Sequence, residues 1–181
     1  MDRFSLKVQA TCAIALLCAF ASATDLPSWA RFGNFTVGKT RMNVVRRLLG
    51  PGGTDHKYFD TSMRRWVLDD ARLTVYSDNQ DAPFRGRVCA LQIDKWKGTL
   101  ASLKIFHGSK PFPCGDLVVD MPFAKVQALL ERNGVPAFYN GHLHALFSVS
   151  KDNSYQLELY FSDWKLFAVS IEPLVPSFLF G

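Results

Sequence analysis

Two hydrophobic rhythms alternate along this chain. Val44, Val45, Leu48 and Leu49 recur at helical spacing and predict one apolar helix face, with Thr40 placed as its N-cap. Gly50-Pro51-Gly52-Gly53 ends that helix, because proline cannot continue it and glycine relaxes the backbone. Phe35-Thr36-Val37 ahead of it reads as a short leading strand. Period-two alternation then predicts strands over Arg64–Leu68, Ala71–Ser77 and Gly86–Ile93. The same order returns later: a strand over Asp116–Asp120, a helix over Phe123–Asn133 closed by Gly134, and strands over Ala145–Ser150, Tyr155–Ser162 and Lys165–Glu172.

The return is close enough to align. A shift of 81 residues lays Val45, Leu48 and Leu49 on Val126, Leu129 and Leu130. A shift of 78 lays Val88–Asp94 on Leu166–Glu172, a loop being shorter in the second copy. The implied fold is α+β: two tandem helix-plus-antiparallel-strand repeats forming a sheet with helices on one face. Residues 1–23 precede the first repeat at 24–94, a linker spans 95–114, and the second repeat with a C-terminal tail spans 115–181. Repeated modules build extended surfaces more readily than deep clefts.

The N-terminus has the pattern of an export signal. Arg3 and Lys7 give a positive start, Ala10–Phe20 an apolar run, and Ala21-Ser22-Ala23 a small-residue cleavage site, so cleavage near Ala23 is expected. The run is short for a transmembrane helix, which needs about 20 apolar residues. Cys18 raises a lipoprotein alternative, but Leu17 stands where a lipid-attachment motif wants Gly or Ala. No later stretch predicts a span, since Leu174–Phe180 is broken by Pro176. The expected location is the periplasm or the exterior.

Cleavage removes two positive charges and one negative, taking the net charge from +5 to +4. Arg46, Arg47, Arg64, Arg65, Lys95 and Lys97 are scattered, not gathered into a stripe with interleaved aromatics, which argues against nucleic acid as a partner. Two cysteines remain, Cys89 and Cys114. An oxidising compartment favours a disulfide between them, adding roughly 3 kcal/mol for a loop of that length. Two buried thiols are the competing arrangement, because Cys89 aligns with Phe167, read as core-facing.

The run Val37-Gly38-Lys39-Thr40, then Val45, Leu48-Leu49-Gly50-Pro51, Trp66 and Val88-x-x-Leu91-x-Ile93 resembles the small SmpA/OmlA-type modules of bacterial envelope proteins. Two such units in tandem look like the architecture of β-lactamase-inhibitor proteins. The stretches Arg65–Asp70, Val75-Tyr76 and Lys110–Leu117 are also similar to uncharacterised tandem proteins of bacteria, some near secretion-system toxin genes. The second unit departs from the pattern, with Glu131 and Arg132 in place of the Gly-Pro stop. The resemblance implies a binding module that scaffolds envelope assembly or inhibits enzymes by presenting one sheet face.

Candidate chemistry is sparse. His142 and His144 would share a strand face as a metal pair does, but no third ligand stands near and Gly141 marks a loop edge. Asp69 and Asp70 could be paired carboxylates, yet they sit at a turn, where Asp bonds its own backbone. Gly108-Ser109 lacks the second glycine of a nucleophile elbow. Gly50–Gly53 follows a helix instead of opening one, so it cannot cradle phosphate. No catalytic constellation, metal site or cofactor is expected.

Alternation along the strands is more informative. It turns Leu73, Val75, Leu157, Leu159 and Phe161 inward, and Thr74, Tyr76, Glu158 and Tyr160 outward. Trp66, aligned with Ser148, is placed on the same outer face as Gln92 and Ser170. Trp66, Tyr76, Gln92, Glu158 and Tyr160 are therefore the candidate partner-binding residues, since Trp and Tyr dominate protein-binding hot spots. Coverage of that face by the tail or the linker is the competing arrangement. The expected function is a non-enzymatic inhibitor or immunity protein acting on an extracytoplasmic toxin or hydrolase. The alternative is an envelope or outer-membrane assembly scaffold.

Overall fold

Strand pairing, more than helix packing, organises the computed structural model, which describes residues 31–32, 35–58, 61–78, 86–106, 115–150 and 155–174. A two-residue pair, β1 (Arg31–Phe32) and β2 (Phe35–Thr36), precedes helix α1 (Met42–Leu49). Four strands follow: β3 (Thr54–Tyr58), β4 (Thr61–Val67), β5 (Arg72–Asp78) and β6 (Val88–Asp94). After two 3-10 turns, Leu100–Ser102 and Lys104–Phe106, come helix α2 (Phe123–Arg132) and four more strands. These are β7 (Phe138–Asn140), β8 (Ala145–Val149), β9 (Tyr155–Ser162) and β10 (Lys165–Pro173).

The eight strands β3 to β10 form one antiparallel sheet in the order β3-β4-β5-β6-β10-β9-β8-β7. This corrects the expected fold class. The eight-stranded sheet dominates, and its two helices of only 8 and 10 residues make the molecule a sheet-dominated fold, not a pair of α+β repeats. The physical reason is that each helix contributes a narrow stripe: Met42 and Val45 from α1, and Val126, Leu129 and Leu130 from α2. Leu48, expected on the buried face, is 46% exposed.

The middle of the sheet is the seam between β6 and β10. There Gln92 lies opposite Ser170, flanked by Leu91 opposite Ile171 and Ile93 opposite Val169. Antiparallel partners project to the same side, so Leu91, Ile93, Val169 and Ile171 join Leu73, Val75, Leu157 and Leu159 on an inner face. Both helices and Trp96, Leu100, Leu103 and Leu117 belong to that same core. The Tyr155 hydroxyl donates to the Val37 carbonyl at 3.0 Å, tying β9 to the turn before α1.

Local expectations fared unevenly. β4, β5, β6, β8, β9 and β10 fall where alternation placed strands, while β3 and β7 were not anticipated. Asp116–Asp120 forms turns, not a strand: the Leu117 carbonyl accepts from the Leu100 amide at 2.8 Å and the Trp96 indole at 3.3 Å. Helix α1 is capped at Arg41 without a side-chain bond, and the Thr40 hydroxyl instead accepts from the Thr36 amide at 2.8 Å. Residues 1–30, with the export signal, and the tail from Val175 onward lie outside the described residues.

Candidate functional site

The face opposite the core carries a polar row across the sheet. Successive pairings run from Arg65 through Thr74, Gln92, Ser170 and Glu158 to Phe147. Residues two positions along each strand share this face: Tyr76 beside Thr74, Tyr160 and Gln156 beside Glu158, and Glu172 beside Ser170. Four of the five expected partner-binding residues, Tyr76, Gln92, Glu158 and Tyr160, are thus brought to one surface.

Trp66 is not among them. It lies opposite Leu73, so it points into the core, and it is 2% exposed. Its indole donates to the Gly50 carbonyl at 3.1 Å, and the Arg64 guanidinium lies 5.4 Å from its ring centre. Ser148, its aligned residue, misled the assignment: serine suggested solvent, yet Ser148 lies opposite Leu157 and is buried on the inner face. Phe167 errs in the other direction. It sits at a register shift between Leu166 and Ala168, is 42% exposed, and its ring lies 6.2 Å from that of Tyr160, so it is not core-facing.

The centre of the face is shielded although it is polar. Thr74, Ser170 and Glu158 are buried, whereas Tyr76, Gln92, Tyr160 and Glu172 are half-buried. Polar groups in that position need partners, and most find them locally. The Tyr76 hydroxyl donates to Gln92 Oε1 at 3.1 Å, and Arg65 Nε donates to Thr74 Oγ1 at 3.3 Å. The Glu158 carboxylate accepts from Gln156 on one oxygen and from the Tyr160 hydroxyl on the other. Arg72 and Asp94 form a two-pronged ion pair, with Nη2 to Oδ2 at 2.8 Å.

Glu172 is the group sequence reading missed. Burial, then the negative charge of Glu158 and a side-chain hydrogen bond shared with it, push the Glu172 carboxyl up to about 7. The signal was available, since Glu172 stands two residues from Ser170 on a strand already assigned. Burial also raises the Tyr160 phenol, helped by its bond to Glu158. The Tyr76 phenol is raised by burial against an opposing pull from Arg65.

The other candidates have structural roles. Asp69 pairs with Lys104 at 3.1 Å, and Asp70 Oδ2 accepts from the Lys104 amide at 2.8 Å. His142 and His144 lie in the turn between β7 and β8, where the Tyr139 hydroxyl meets His144 Nδ1 at 3.2 Å. No group of three metal-ligating side chains occurs among the described residues. Gly50-Pro51 seats side chains from β4: Arg64 Nη2 donates to the Pro51 carbonyl at 2.7 Å, next to the Trp66 bond to Gly50. Cys89 is half-buried on β6, while Cys114 and Ser109 lie outside the described residues, and the disulfide expectation with them. An open groove of about 420 Å³ runs beside α2, lined by Asp116, Met121, Lys125, Ala128, Leu129 and Arg132. No helix among the described residues is long and apolar enough to cross a membrane.

No protein-family model and no curated protein matches this chain. Among solved structures, the chain is similar to a cysteine-rich secretory protein from Staphylococcus aureus subsp. aureus Mu50, at 13% identity and a TM-score of 0.44. The match covers 75% of this chain and 42% of that one, so this chain spans less than half the length of its structural neighbour.

Proposed function

We propose that this chain is an exported, non-enzymatic module that binds a protein partner through the outer sheet face. The partner is an extracytoplasmic toxin or hydrolase, and the module acts as its inhibitor or immunity protein. The observation that carries the reading is the convergence of Tyr76, Gln92, Glu158 and Tyr160 on one surface, within hydrogen-bonded pairs that fix their orientation. Two tyrosines held rigid supply contact area at little entropic cost, which is what an interface hot spot needs. The first half of the molecule is basic and the second acidic, which suits orientation of a charged partner.

The test is capture from the envelope of the native organism with wild-type mature protein and with Tyr76→Ala/Tyr160→Ala. The expected result is one dominant hydrolase or toxin, inhibited by the wild type and lost with the double variant. Capture of outer-membrane assembly components instead would transfer the chain to the scaffold class. A partner retained equally by both proteins would remove this face from the interface.

A further inference from the structure

Among the described residues the sheet ends in β3 on one side and β7 on the other, and the two edges are built differently. β3 exposes Thr54, Asp55 and His56, and Asp55 engages Arg46 at 3.2 Å and Arg64 at 2.9 Å. Charged residues of that kind keep other strands away from an edge. β7 is Phe138-Tyr139-Asn140, which carries no charge.

Aromatic side chains gather at the β7 end. The β7–β8 and β9–β10 turns lie side by side, the Phe161 amide donating to the His144 carbonyl at 2.8 Å. There the Tyr139 ring lies 5.7 Å from Trp164, and both rest on Phe123, at 5.2 and 5.4 Å. The Tyr139 hydroxyl meets His144 Nδ1 in the turn that carries Leu143. Phe138, on the other face of the same edge, stacks on Phe147 at 5.5 Å. Phe138, Tyr139, Leu143 and Trp164 nevertheless remain 57%, 39%, 56% and 60% exposed.

We propose that a second copy of this chain packs on this end, as a two-fold dimer in which the two sets of Phe138, Tyr139, Leu143 and Trp164 face each other. Area and charge together carry the proposal. Large side chains have about 150–250 Å² to bury, so at those exposures the four display on the order of 400 Å². A standard interface takes about 800 Å² from each partner, with an apolar centre ringed by polar residues. The four side chains supply the centre that a stable dimer needs. The ring around them is self-matching. Asp163 and Lys165 flank Trp164, Asp120 and Lys125 flank Phe123, and all four are exposed. A copy facing this end therefore meets no net like charge, and a two-fold axis can set Asp163 of one chain against Lys165 of the other. Trp164 and Tyr139 are packed on Phe123 before association, so little side-chain freedom is lost on binding. Tyr76, Gln92, Glu158 and Tyr160 lie outside this contact, and the dimer stands or falls apart from the partner-binding reading.

The test is sedimentation equilibrium of the mature protein over about a hundredfold range of concentration, since dimerisation follows mass action. The expected result is a mass that rises from one chain to two. Leu143→Glu, in an exposed turn, should weaken association about tenfold or more, as loss of one hot spot does. Phe138→Glu is the second variant, and circular dichroism checks that each folds. Val67→Glu, on an 81% exposed residue of β4, is the control that should leave the dimer unchanged. A single-chain mass at every concentration overturns the proposal, as does a dimer that keeps its affinity in both Leu143→Glu and Phe138→Glu. Equal weakening by Val67→Glu overturns it too. If the protein stays a single chain, a blue shift of tryptophan emission on phosphatidylglycerol vesicles, absent in Trp164→Phe, would assign this end to a lipid surface instead.

Discussion

The two halves of the sheet, β3 to β6 and β7 to β10, meet at Gln92 and Ser170 and solve the same problem with different residues. In the first half a large side chain closes the inner edge: Trp66, opposite Leu73, is anchored to the loop after α1 by its bond to Gly50. The equivalent place in the second half, opposite Leu157, holds only Ser148, whose buried hydroxyl has no hydrogen-bond partner among the described residues. Aromatic mass there has moved outward, to Phe123, Tyr139 and Trp164, whose rings pack within 5.2 to 5.7 Å of one another. Trp164 is 60% exposed. Backbone strain is distributed unequally too. Gly38, Gly50, Gly86 and Gly98 take positive φ in and after the first half with Lys95 as the one non-glycine, whereas Asp120, His144, Asp163 and Trp164 do so in the second beside Gly134. Strain held by non-glycine residues beside exposed aromatics marks the second half as the more specialised surface. The first half is built for stability.

The largest expected effect tests that division directly. Trp66→Ala should destabilise the protein by about 3–5 kcal/mol, because it empties a filled core site and frees the Gly50 carbonyl. Ser148→Ala, at the equivalent place, should be neutral or slightly stabilising, since it removes a buried hydroxyl without a partner among the described residues. Urea unfolding of the two variants checks both. Equal losses would mean that the halves carry the core alike, and the comparison would fail.

Next is Gly53, which sits under the same anchor. A Cβ built there would lie 2.7 Å from Arg64 Nε and 2.9 Å from Trp66 Cε2. Gly53→Ala must therefore push the indole or the guanidinium aside, and overpacking of that kind costs roughly 1–3 kcal/mol. Thermal melts of Gly53→Ala, alone and with Trp66→Ala, show whether the clash is with the indole. If it is, the double variant loses less than the sum of the two.

Glu172, beside Glu158, gives the second half a pH dependence of stability. The folded Glu172 carboxyl, at about 7, lies above its ordinary value of 4.5, so folding favours its protonated form. Stability from this group is full below about pH 4.5 and is lost as pH rises through about 7. The loss is on the order of 1 kcal/mol once solvent screening of a partly exposed group is allowed for. Melting temperatures of wild type at pH 5 and pH 8 should differ accordingly, and Glu172→Gln should flatten the difference. An unchanged difference in Glu172→Gln would place the dependence elsewhere.

These sites also show what the chain discloses by itself. Alternation located six strands and placed Tyr76, Gln92, Glu158 and Tyr160 on one face, because a half-buried strand must alternate to stay half-buried. It fails at Trp66 and Ser148, where polarity is a poor guide to side. The deciding fact was the partner across the strand, and pairing register is not written in either residue. β3, Thr-Asp-His-Lys-Tyr, is an edge strand with Thr54, Asp55 and His56 exposed, so it has no apolar rhythm to detect. β7 has only three residues. The predominance of the sheet over the helices was hidden for a related reason. Helical spacing shows where a helix runs, but α1 buries only Met42 and Val45, and that depends on the strands beneath it.

The smallest expected effect concerns the tight turn between β9 and β10. Asp163 and Trp164 both adopt positive φ there, at 50° and 61°, as the two central residues of a hairpin turn that favours Asn-Gly. Asp163→Asn should stabilise by roughly a few tenths of a kcal/mol, since asparagine tolerates that region best among residues with a Cβ. Trp164→Gly sets two terms against each other. Glycine relieves the backbone, but the change removes the ring that packs on Phe123 and Tyr139. If the tryptophan is there for the fold, Trp164→Gly destabilises and Asp163→Asn/Trp164→Gly remains below wild type. If it is held at a strained position for a partner, the double variant gains stability while losing capture. Melting and capture measured on the same preparations separate the two, and the second outcome would extend the working surface from the outer face to the end of the second half.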